Sequence, residues 1–136
     1  MKRCSEKVHP APCGQLLVLR AFTLSLWVGT VLWLSLTSDP FTVPSILSWD
    51  KLQHASAYAL MALLAGRLFA LFSSSPARAW AGAAVFAVLF GAVAEMLQGV
   101  LSARRHADGW DIVANSVGAV ICSILAVGFI QWRRRK

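Results

Sequence analysis

Charge is scarce in this chain, and acid is scarcest. Of 136 residues only 14% are Asp, Glu, Lys or Arg, and 6 acids stand against 13 bases. Lys2, Arg3 and Lys7 lie at one end and Arg133, Arg134, Arg135 and Lys136 at the other, which leaves the interior poorer still. That excludes an ordinary soluble globule: such domains are about 45–50% apolar with glycine counted, whereas this chain is 57% hydrophobic without it. It also excludes a nucleic-acid reader, which needs Lys and Arg along one groove-facing element rather than bracketing an apolar interior. The 3 cysteines are an odd number without recurring spacing, so they build no disulfide framework. Cys4 and Cys13 flank His9 at a spacing that matches no zinc signature. Cys122 sits in an apolar run and reads as a small packing residue. No apolar stretch precedes Cys4 or Cys13, so a lipoprotein signal is not expected.

What the chain does have is long apolar runs. Four segments, at 16–36, 52–72, 79–101 and 111–132, approach the roughly 20 residues that cross about 30 Å of hydrocarbon. The first follows a basic stretch, as a secretory signal does. It is longer than a signal's apolar region and lacks a small-x-small cleavage site, so it reads as a retained helix. The connectors carry turn chemistry: Ser38-Asp39-Pro40 and Pro44, then Ser73-Ser74-Ser75-Pro76, then His106-Ala107-Asp108-Gly109. Asp108 or Asp111 suits a helix amino terminus, where a carboxylate meets orphan N–H groups. Loops this short make sequential helices antiparallel neighbours and leave no room for a separate soluble domain. No internal repeat is visible.

The expected architecture is therefore an all-α, four-helix polytopic transmembrane bundle. Residues 1–15 form a basic tail, 16–132 the membrane domain and 133–136 a second basic tail. Alternating helices put ten basic residues on one side (Lys2, Arg3, Lys7, Arg20, Arg67, Arg78 and the four at 133–136) and three on the other, Lys51, Arg104 and Arg105. By the positive-inside bias both termini are cytoplasmic. Arg20 and Arg67 then lie near cytoplasmic helix ends, where long side chains snorkel to the interface.

The remaining polar residues converge on the opposite layer. Asp50, His54 and Tyr58 recur every four residues along one helix face, at depths of about 0, 6 and 12 Å. Glu95 and Gln98 are three apart on the third helix, with Glu95 about 9 Å below the outer boundary. Asp111 and Asn115 are four apart on the fourth, with Asn115 about 6 Å deep. A mid-helix acid costs about 2.5–3.5 kcal/mol on insertion scales, so Glu95 must face protein, water or a cation. Ala87, Gly91 and Glu95 share one face, and Ala114, Gly118 and Cys122 repeat the small-xxx-small pattern. These seams predict contact between the third and fourth helices. The plainest account of the layer is a hydrogen-bond network that glues helices together.

The constellation also carries a resemblance. Asp50-Lys51-x-x-His54-x-x-x-Tyr58, Glu95-x-x-Gln98, an arginine at 104 or 105, and Asp111-x-x-x-Asn115-x-x-Gly118 together resemble the VanZ-like family of small bacterial membrane proteins, over about 49–118. The resemblance implies a multi-pass protein of the bacterial cytoplasmic (inner) membrane with a role at the cell envelope. The founding member of that family is associated with resistance to the glycopeptide teicoplanin, which does not carry over to this chain.

Two functional readings follow. In the first, the cluster binds an anionic membrane lipid or lipid-linked envelope group: Lys51, Arg104 and Arg105 meet phosphate or carboxylate, and Tyr58, Gln98 and Asn115 complete the binding set. No cofactor, metal or nucleic acid enters, and self-association is compatible with it. In the second, the chain is a small membrane enzyme acting on a lipid-linked phosphate. His54 serves as acid or base with Glu95 as partner, and a divalent ion sits among Asp50, Glu95 and Asp111. Asp108-Gly109-x-Asp111 is only a fragment of a phosphatidyltransferase motif, and no phosphatase pattern is present. A transporter is disfavoured because the inner helix halves offer no polar relay.

Overall fold

A computed structural model describes residues 10–36, 47–101 and 109–136, with backbone alone at 10–13 and 47–50. All regular structure there is helical: α1 (Pro10–Leu36), α2 (Leu47–Phe69), α3 (Pro76–Leu101) and α4 (Gly109–Arg134). Helix ends sit within a few residues of the apolar runs, except that α1 and α2 begin six and five residues earlier than expected, at Pro10 and Leu47. A proline in the first turn gives up an N–H that has no helical partner anyway.

The α2–α3 turn shows how the serine-rich connector works. Leu71 and Phe72 donate to the carbonyls of Leu68 and Phe69, both at 3.0 Å, tightening the last turn of α2 before it stops. Ser73 Oγ donates to Ser75 O at 3.0 Å and accepts from Ser75 N at 3.3 Å. Pro76 then starts α3, and the Ser75 carbonyl accepts the Ala79 N–H at 3.1 Å.

Side-chain contacts set the helix directions. Trp27 of α1 donates to Ala57 O of α2 at 3.0 Å, while Arg20 donates to Arg67 O, so α1 and α2 are antiparallel. Tyr58 lies beside Phe90 with the rings tilted, and Gly66 lies under Trp80, so α2 and α3 are antiparallel as well. Lys51 meets Asp111, His54 meets Asn115 and Ala55 meets Gly118, so α2 and α4 run side by side in the same direction. α2 packs on all three other helices and most extensively on α4, whereas α1 and α4 make no contact among the described residues.

Three helices are long and apolar enough to cross a membrane: 14–36 of α1 (23 residues), α3 (26) and α4 (26). Their outer faces expose large apolar side chains such as Phe22, Leu26, Leu89, Val93, Ile124 and Leu125. An apolar surface of that extent needs a partner or lipid. The chain is thus a multi-pass membrane protein by its apolar helices. α2, with Lys51, Gln53, His54 and Ser56 in its first half, does not reach that apolarity among the described residues. Its position explains how polarity is tolerated, since Tyr58, Met61, Ala62 and Ala65 are buried at the bundle centre.

The core is built from small residues. Ala62, Ala65, Ala83, Ala87 and Ala119 have no exposed surface, which lets backbones come together where no hydrophobic force drives helices in lipid. A Cβ on Gly118 would lie 1.9 Å from the carbonyl oxygen of Ala55. The seam on α4 therefore faces α2, not α3 as the spacing suggested. The seam on α3 does reach α4: a Cβ on Gly91 would lie 3.0 Å from the Tyr58 ring and 3.3 Å from Asn115 Nδ2.

Candidate functional site

Lys51 and His54 are one turn apart on α2, Asp111 and Asn115 one turn apart on α4, and the parallel register brings the two pairs face to face. Lys51 Nζ pairs with Asp111 Oδ1, with side chains 33% and 15% exposed. His54 Nδ1 lies 3.1 Å from Asn115 Oδ1. An amide oxygen only accepts, so Nδ1 carries the hydrogen in that bond and Nε2 is the ring's other face. Nε2 points toward Asp111 Oδ2 at 3.7 Å.

Glu95 joins from α3. It is 4% exposed, and one carboxylate oxygen lies in the same small volume as ligand atoms of His54 and Asp111, all within 4.8 Å of one another. Three helices thus deliver a histidine and two carboxylates to one point. Asn115, 1% exposed, orients the histidine through its oxygen, and its Nδ2 has no acceptor among the described residues.

The other expected site residues fare differently. Tyr58 is buried beneath the cluster with its ring against Gly91 and Phe90. Gln98 turns away: its Nε2 donates to Ser35 O at 2.7 Å, tying α3 to α1. The side chains of Asp50 and Cys13 and all of Arg104, Arg105, His106 and Asp108 lie outside the described residues, as do Cys4 and His9.

A second feature carries no motif. Between α2 and α4 runs a groove of about 1110 Å³, lined by Leu63, Ile121, Leu125 and Phe129 and bounded at one end by Ala55 and Gly118. Arg20, Arg67 and Arg133 line its other end. The guanidinium of Arg133 also lies 5.8 Å from the Phe129 ring centre, and Lys136 Nζ lies 4.2 Å from that of Trp132. Arg20 and Arg67 were legible as helix-end basic residues, but their lining of one groove with Arg133 was not. The one available signal was a basic last turn on α4.

Comparison of the chain with known protein families, characterised proteins and solved structures gives no match.

Proposed function

We propose that this chain is a VanZ-like, four-span protein of the bacterial cytoplasmic membrane, with both termini cytoplasmic. In this reading α2 is the fourth span, shielded from lipid by its three apolar neighbours. The polar cluster holds the anionic head of a membrane lipid or lipid-linked envelope group, and an acyl chain lies in the α2/α4 groove. One observation carries the reading. Charged and hydrogen-bonding side chains from three helices gather at the end of the bundle where the groove begins, within one helical turn of His54 and Asn115. The groove is slightly larger than the roughly 300–1,000 Å³ of typical ligand pockets. Lys51 is engaged by Asp111, so Arg104 and Arg105 take the head group in this reading, and Asn115 Nδ2 offers a buried donor.

Anionic phospholipid should raise the melting temperature of the detergent-purified protein more than a zwitterionic lipid does, by linkage to the folded state. Salt should weaken the difference, and Arg104→Ala with Arg105→Ala should remove it. Equal shifts for both lipid classes would overturn the reading. Cysteine labelling in intact cells tests the topology: Ser38→Cys should react from outside and Cys4 should be protected.

A second reading, a small enzyme acting on a lipid-linked phosphate, is favoured by one detail. His54 is held by Asn115 on one nitrogen and has a carboxylate 3.7 Å from the other, the imidazole–carboxylate pairing that acid–base chemistry uses. Release of inorganic phosphate from a lipid-linked diphosphate by the native chain, and its loss in His54→Gln, would support it.

A further inference from the structure

His54, Glu95 and Asp111 come from three different helices and each turns a ligand-competent atom toward the same point. Bonds of about 2.1 Å to zinc-class ions place neighbouring ligands of a tetrahedral site about 3.4 Å apart. The 3.7 Å from His54 Nε2 to Asp111 Oδ2 is close to that edge, and one ligand atom from each of His54, Glu95 and Asp111 lies within 4.8 Å of the other two. The surroundings orient the ligands as metal sites require. Asn115 Oδ1 accepts from His54 Nδ1, which leaves Nε2 as the nitrogen that faces Asp111. Lys51 engages Asp111 Oδ1, which leaves Oδ2 as the oxygen turned to the imidazole.

We propose that His54, Glu95 and Asp111 form a site for one divalent cation of the manganese or zinc class. Imidazole suits zinc and its neighbours, carboxylates suit harder ions, and a mixed set suits ions between them. A divalent ion held there would add positive charge and make the site attractive to a phosphate. The inference deepens the lipid-head reading and rests on it for the ion's role in capturing the ligand; the ion site itself rests on the geometry.

Mn²⁺ is the better probe, because Cys4, His9 and Cys13 in the tail would compete for Zn²⁺. The full-length protein in neutral detergent, stripped with chelator and equilibrated with Mn²⁺ without added lipid, should bind one ion per chain and melt at higher temperature. Asp111→Asn and Glu95→Gln, which keep size and hydrogen bonding, should each weaken binding at least about tenfold, the low end of what even supporting residues contribute. Thr23→Ala, which removes only a hydroxyl bonded to the Arg20 carbonyl within α1, should bind as the native chain does. Circular dichroism and elution volume check that each variant is folded. Failure of the native chain to take up Mn²⁺, or equal uptake by the folded Asp111→Asn and Glu95→Gln variants, overturns the site. Repeating the lipid melts in chelator and in Mn²⁺ separates the two claims. Mn²⁺ uptake without any preference for anionic lipid sinks the lipid-head reading alone. A preference for anionic lipid that is undiminished in chelator sinks the ion's role in capture.

Discussion

Where α2 and α4 begin, their backbones touch, with Gly118 against the Ala55 carbonyl and two side-chain pairs, Lys51–Asp111 and His54–Asn115, stacked beside that contact. Toward the other end the same two helices leave a groove lined by apolar side chains and three arginines, and Gly66 is covered by the ring of Trp80 rather than by backbone. Close approach and polar pairing go together for a physical reason. Lysine, histidine and carboxylate side chains must meet inside a few ångströms to offset desolvation, and only small residues let the helix axes come near enough. The loose end has no such demand, because its arginines reach the interface with long side chains.

Four substitutions probe that contrast, from the largest effect to the smallest. Gly118→Ala should be the most damaging, since the new methyl meets backbone that cannot rotate away; a loss of more than about 3 kcal/mol is expected. Reversible unfolding in mixed micelles measures it, and a loss below that of Gly66→Ala would show that the tight end is not at Gly118. Gly66→Ala places its Cβ 2.4 Å from the Trp80 ring. A buried side chain can shift where backbone cannot, so about 1–3 kcal/mol is expected, together with a change in tryptophan emission.

Smaller effects test the pairing. A double-mutant cycle of Lys51→Met and Asp111→Asn should give a coupling of about 1 kcal/mol, held down by the partial exposure of Lys51. Zero coupling would mean that the parallel register of α2 and α4 owes nothing to this pair. Gln98→Leu removes one hydrogen bond to the Ser35 carbonyl. It should cost about 0.6 kcal/mol, the average for such bonds between membrane helices, while leaving the lipid-dependent shift intact. Loss of that shift would return Gln98 to the binding set.

Four helices, the serine-rich connector between α2 and α3 and the gathering of His54, Glu95 and Asp111 were legible from chain order and helical period. A fixed rise of about 1.5 Å per residue converts position along an apolar run into depth, so His54, Glu95 and Asn115 could be placed at one level before any contact was known. Rotation was not legible. Small residues at Gly118 say that some helix comes close, not which one, and it is α2 that does so. Gln98 shares a helix with Glu95 but turns to Ser35 of α1, and Arg133 lines the same groove as Arg20 and Arg67 although more than sixty positions of chain separate it from either. Spacing records which side chains share a face of one helix. Only the packing of four helices decides which faces meet, because that choice depends on the summed fit of all of them and on no short stretch of sequence.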